Sequence, residues 1–341
     1  MKNMNNPVSS STSPARSSMM PLALFLLVLV AGFYLIRPQA LIFWHYVLGM
    51  GDDQATFAEG ADPFGSPDKN TGARTAALPP MKPPPIPTVL FQGWAPAPQR
   101  PKAITELEEE IHALTVHERT QRGKTALDTD PGLVETAAWH SHDMFARNYH
   151  GHVSPEGIGP GERIGKLHRR LFGVWAENVA FRQEPLSDRK GLAARFIQSW
   201  MNSMGHRRNI LNDGMTHLGV GCFGKKDQGA GATGAYYCTQ VFAKAYGWSE
   251  QPIPAEMLIG TEIAIRLRPE AGKPLATRIS QVSLKNDKTL ASADLTAKAG
   301  VAVGRLRVRG PTGAYRLSIR VPDPNDASRY FVVSGPYIVI K

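Results

Sequence analysis

The chain has 341 residues, 42% of them hydrophobic, which suits two or three packed domains and excludes a globally disordered chain. Its only cysteines, Cys222 and Cys238, exclude a disulfide-rich framework and a Cys/His zinc cluster. The net charge of +10 is uneven: Lys and Arg exceed Asp and Glu by six in residues 249–341 but by one in 103–248, so an anionic partner is sought in the last segment.

Residues 1–19 carry Lys2 and Arg16 and no acid. Residues 20–36, MPLALFLLVLVAGFYLI, have no charge and reach the short end of what crosses a hydrocarbon core. The pattern predicts a single transmembrane anchor with residues 1–19 as a cytoplasmic tail and everything after it outside the cytoplasm. A cleaved signal peptide is the rival reading, and Arg37, three residues before the candidate site Ala40, argues against it. Residues 37–102 begin with an apolar, aromatic stretch whose Trp44 and Tyr46 suit a membrane interface. They continue into a proline-rich tether, PPMKPPPIP at 79–87, that favours extended polyproline backbone. About fifty such residues could reach on the order of 150 Å.

From Ile104 the period changes. Leu107, Ile111 and Leu114 form an apolar stripe on one helix face. Asp130-Pro131 opens a second helix, with proline in its first turn. YHGHVSPEGIGPGERI at 149–164 is predicted as a loop. A further helix is expected over 187–202, with Leu192, Phe196 and Trp200 four apart. Two strands are expected at 216–223 and 235–243, joined by a glycine-rich hairpin. Cys222 and Cys238 would stand on these adjacent strands, equally far from the hairpin tip. A disulfide closing a loop of about 17 residues is expected there. Two small buried thiols are the alternative.

HVSPEG at 152–157, ENVA at 177–180, WMNSMGHRRNIL at 200–211, HLGVG at 217–221 and YCTQVFA at 237–243 are weak words taken singly. In this order they resemble the CAP superfamily (cysteine-rich secretory protein, antigen 5, pathogenesis-related) in its bacterial form, over residues 103–248. The resemblance implies an α-β-α sandwich and a shallow cleft lined by histidines and acids, in which some members hold a divalent metal. The matching positions are His152 and Glu177. Tyr237 stands where eukaryotic members place their second histidine, and Ser203 where they place an acid. His206, from GHR, is the histidine that bacterial members offer instead. His152, His206 and Glu177 could form a partial zinc site or a His–Glu acid/base pair. With Tyr237 they make up the expected cleft. His140 is expected to face inward as a core histidine. No GxSxG nucleophile elbow occurs, and Ser154 before proline is an ordinary turn residue.

Residues 249–341 alternate apolar and polar side chains at period two between turns, which predicts an antiparallel β-sandwich. The alternation turns Arg266, Arg268, Arg305, Arg307, Arg309, Arg316 and Arg320 away from the apolar side. If their strands are neighbours, these seven form one cationic face for an anionic envelope polymer or lipid head groups, with no nucleic acid involved. The fold expected for the whole chain is therefore α+β: anchor, linker, CAP sandwich, then β-sandwich. The function expected is a membrane-anchored, extracytoplasmic module that binds a ligand or polymer. The alternative is a metal-assisted hydrolase of cell-wall or peptide material.

Overall fold

The computed structural model describes residues 98–185, 191–226 and 233–341. The tail, anchor and most of the linker expected from the sequence lie outside the described residues. No helix among the described residues is long and apolar enough to cross a membrane.

Helix α1, Lys102–Thr120, buries Ile104, Leu107 and Ile111, the stripe that the spacing predicts. Helix α2, Pro131–Arg147, starts at Asp130, whose side chain accepts from Leu133 N with proline just inside. It ends at Asn148 in the left-handed conformation. The expected loop at 149–164 closes early, because Pro160 and Glu162 initiate helix α3, Pro160–Leu167. The Glu162 carboxylate accepts from Gly159 N, satisfying a donor at the helix start. Helices α4, Leu192–Asn202, and α5, Met204–Ile210, follow in the second half of the domain.

These helices sandwich a small sheet. Strand β4, Thr233–Ser249, lies at its centre. It pairs antiparallel with β2, Leu171–Pro185, on one side and with β3, His217–Lys226, on the other. Strand β1, Asp128–Thr129, adds to β3 in parallel. Ile111 of α1 and Phe196 and Trp200 of α4 pack against Leu218, Val220 and Phe242 on one face. Leu133 and Ala137 of α2 and Ile164 of α3 pack against Trp175 and Val241 on the other. The glycines of HLGVG have a steric reason. A Cβ on Gly219 would stand 2.1 Å from Leu133 C, and one on Gly221 2.0 Å from Ala138 N, so α2 could not lie this close to β3.

The C-terminal region is a near-closed barrel instead of the expected sandwich. Its strands are β5 (Glu256–Met257), β6 (Glu262–Pro269), β7 (Arg278–Ser283), β8 (Thr289–Asp294), β9 (Thr296–Lys298), β10 (Val301–Arg307), β11 (Gly313–Asp323) and β12 (Asp326–Ile340). The sheet runs β8-β7-β11-β12-β2-β4-β6-β10-β9, so the long strands β2 and β4 of the helix-covered sheet are also barrel staves. Ser334 of β12 pairs with Gly173, and Ser249 of β4 with Leu267 of β6. The two ends of this path, β8 and β9, are joined by the single residue Leu295. Its side chain lies in the barrel core against Gly304 of β10. Phe172 of β2 and Tyr246 of β4 fill that core with Ile265, Ile279, Leu306 and Ile319. Alternation fixes which face each strand buries. Closure follows from strand partners, and these include residues far upstream. Arg169 pins the seam: its guanidinium donates to the carbonyls of Gly165, Ile253, Pro254 and Tyr337.

Candidate functional site

Four elements converge at the edge of β2 that β4 does not cover. Glu177 projects from β2 and is fully buried. His140 reaches it from α2, His152 from the loop after α2, and Arg163 from α3. Arg163 Nη2 donates to both carboxylate oxygens, at 2.9 and 2.8 Å. The same guanidinium donates to His152 O and Ile158 O, so Arg163 also fixes the loop. Ser154 is spent inside that loop: its hydroxyl donates to Glu156 and accepts from Ile158 N.

Burial, the largest influence, would raise the Glu177 carboxyl, but the Arg163 charge, His140 and the hydrogen bond from His152 together outweigh it and hold the group at about 2. An ionised Glu177 can only accept, so His152 Nδ1–H, 3.0 Å from Oε1, is the donor. In the neutral imidazole this leaves the lone pair on Nε2, which is buried and bonded to no described protein group. His140 is fully buried, with Nε2–H donating to Gly151 O. Burial first, and the Arg163 charge second, push it down to about 3, so it stays neutral.

His206, on α5, enters from the opposite layer. Its ring lies 6.3 Å from that of His152. An amide network holds it there: Asn178 Nδ2 donates to His206 O and to Gln240 Oε1, and Asn209 donates to Asn178 Oδ1 and to Glu177 O. Three expected residues, His152, Glu177 and His206, thus meet at one edge. Tyr237 does not join them. It packs with Phe181 at 4.7 Å and Phe145 at 6.1 Å, with no hydrogen bond to the cluster among the described residues.

These residues do not fit a divalent metal held through Glu177. The guanidinium already occupies both carboxylate oxygens as a fixed cation, and a second cation there would meet like-charge repulsion. Among the described residues no group of three or more His, Cys, Asp or Glu side chains is disposed to hold a metal.

Residues 113–242 match the family model described as "CAP: Cysteine-rich secretory protein family". This segment is a CAP domain. The chain is 34% identical to the Bacillus subtilis (strain 168) protein YkwD over 121 residues, 36% of this chain and 44% of that one. It is 36% identical to the membrane protein YlbC of the same strain over 126 residues, 35% of this chain and 32% of that one. It is 32% identical to an extracellular protein containing a SCP domain from Bacillus anthracis str. Ames, with 43% of this chain and 44% of that one covered and a TM-score of 0.34. The chain spans less than half the length of the curated relatives it matches.

The CAP disulfide is formed: Cys222 and Cys238 are direct cross-strand partners, bonded and fully buried. The seven arginines do not form one face. Arg266 and Arg268 on β6 neighbour Arg305 and Arg307 on β10, but β12, β2 and β4 separate β11, with Arg316 and Arg320, from β6. Arg309 lies beyond the end of β10 and Arg316 pairs with Asp287. Acids interleave the β6–β10 group too: Glu250 binds Arg266 and Arg268, and Glu262 binds Arg305.

Arg163, the residue that organises the site, belongs to none of the sequence words that mark His152, Glu177 and His206. Its signal was available, since it adjoins the apolar Ile164 and Leu167 in a short helix opened by proline, where a solvated arginine is out of place.

Proposed function

We propose that this chain is a membrane-tethered, extracytoplasmic CAP module that binds an envelope component at the His152–His206 edge without turning it over. The observation that carries this reading is the engagement of Glu177. A carboxylate held by Arg163 and kept at about 2 is a poor proton acceptor near neutral pH. No activated nucleophile accompanies it: Ser154 is held in its turn and both cysteines are in the disulfide. What remains is a recognition surface. It is apolar: the side chains of Val153, Phe181 and Met204, 49%, 42% and 85% exposed, belong to the elements that carry His152, Glu177 and His206, and the ring Nε2 atoms of both histidines are buried.

The disulfide supports an oxidising compartment. So do the printed names of the relatives, one a membrane protein and one extracellular. Arg266, Arg268, Arg305 and Arg307 share one face of β6 and β10; Glu250 and Glu262 pair three of them, and the face is the surface proposed for an anionic polymer or lipid head groups.

A second reading rests on His152 itself. A carboxylate-oriented imidazole with a lone-pair Nε2 is also the arrangement of a general base, and a hydrolase would use it so. Incubation of the full chain with insoluble cell-wall material, scoring both retention and release of soluble fragments, separates the two readings.

A further inference from the structure

Two adjacent apolar side chains, Leu258 and Ile259, stand 68% and 62% exposed in the turn between β5 and β6. We propose that this end of the barrel rests on the surface of an anionic lipid bilayer. Leu258 and Ile259 dip below the head groups, and Lys285, Lys288, Arg307 and Arg309 meet the head-group phosphates. The proposal rests on the membrane-tethered reading above for bringing a bilayer within reach.

The turn holds its tip outward. Gly260 takes a φ of +83°, which glycine adopts without steric cost. Its N–H donates to Val308 O, Thr261 N to Leu258 O, and Val308 N to Thr261 O. Arg307 Nε donates to Gly260 O. With the backbone fixed on both sides, Leu258 and Ile259 cannot fold back onto a core that Met257 and Val308 already fill. Scattered apolar residues on a surface are ordinary. Two adjacent ones fixed at a tip among bases match the pattern of an interfacial contact.

Strand register gathers the bases at the same end. Gly313 opens β11 opposite Ile340, and Ile340 pairs with Met257, the neighbour of Leu258. Tyr315 pairs with Ser283, so the β7–β8 turn that carries Lys285 and Lys288 lies at this end. Arg307 pairs with Glu262 at the start of β6, and Arg309 follows two residues on. All four bases are exposed. The acids here hold other cations: Glu256 binds Lys341, Glu262 binds Arg305 and Asp287 binds Arg316. None of the four bases has an acid partner among the described residues. Bases alone would suit any polyanion. The apolar tip favours a bilayer, because a hydrated polymer gives Leu258 and Ile259 nowhere to bury. β4 reaches the barrel from its other end, with Gly247 opposite Pro269 and Ser249 opposite Leu267. Docking therefore turns the CAP sheet away from the membrane.

The test reconstitutes the full chain in mixed phosphatidylglycerol–phosphatidylcholine vesicles, with an environment-sensitive fluorophore on Leu258→Cys. Both native cysteines are in the disulfide, so the label goes to the new thiol. A second chain carries the label on Asn325→Cys, in the β11–β12 turn at the far end of the barrel, on the order of 30 Å away. Blue-shifted emission and quenching by spin-labelled lipid are expected at position 258, and aqueous emission at 325. Both effects should fade as salt rises. They should be lost in Lys288→Glu with Arg309→Glu, and on phosphatidylcholine alone. Thermal melts check that the variants fold. Flotation of the unlabelled chain on neutral vesicles reports the anchor by itself, so failure of the tether and failure of docking are told apart. An aqueous probe at 258 on the mixed vesicles, equal quenching at 258 and 325, equal quenching on neutral vesicles, or a shift induced only by added cell-wall sacculi would overturn the proposal.

Discussion

Arg163 Nη2 stands 2.8 Å from Glu177 Oε2, and neither side chain reaches solvent. The pair joins α3 to β2 and, through the other contacts of Arg163, fixes the loop that carries His152. Removing one member leaves the other charge buried without compensation. Arg163→Met is expected to cost about 3–5 kcal/mol of stability, and Arg163→Met with Glu177→Gln less than the single change. Urea denaturation of both variants measures this. A single-variant cost below about 1 kcal/mol would remove Arg163 from the centre of the site.

The same cluster sets a pH dependence. Glu177 is held at about 2 against an ordinary 4.5, so its stabilisation is present above 4.5 and is lost as pH falls towards 2. His140 is held at about 3 against an ordinary 6.5. The unfolded chain therefore takes up its proton first, and stability falls as pH drops from 6.5 towards 3. Stability measured from pH 8 to 3 should decline below about 6.5 and more steeply below 4.5. His140→Gln should reduce the upper slope by up to about one proton.

Several elements follow from residue spacing alone. The stripe of α1, the proline-opened α2 and the alternation of β6 are local patterns, and each dictates which face is buried. The disulfide follows from two cysteines placed symmetrically about a hairpin. The barrel does not, because period-two alternation names a strand's inner face and not its neighbour. The continuation of β2 and β4 into the barrel places Phe172, Val174 and Tyr246 in a core otherwise built of Ile253 and residues after it. At the site, HVSPEG and ENVA mark His152 and Glu177 as words. Arg163 belongs to no word, and its role exists only once α3 lies against β2. The seven-arginine face fails for the same reason as the sandwich: β11 is not a neighbour of β6.

The Cys222–Cys238 bond links strands that already pair, with a sequence separation of 16. Chain entropy for a loop of this length gives about 3 kcal/mol at most. Reduction, or Cys222→Ala with Cys238→Ala, should lower unfolding stability by about that amount or less. The CAP fold should persist, because α1 and α4 still pack on β3 and β4 around that point. Denaturation curves with and without a reductant check this, and unfolding on reduction would show that the sheet depends on the bond.

The most direct test of binding without turnover uses the full chain with insoluble cell-wall sacculi, scoring pelleted protein and soluble fragments over time. The account predicts retention that weakens as salt rises. Retention should fall in Met204→Glu and His206→Ala, and in Arg305→Glu with Arg307→Glu. Soluble fragments should stay at the level of the protein-free control. Time-dependent release of fragments that His152→Ala abolishes would contradict it, and would make His152 the general base of a hydrolase.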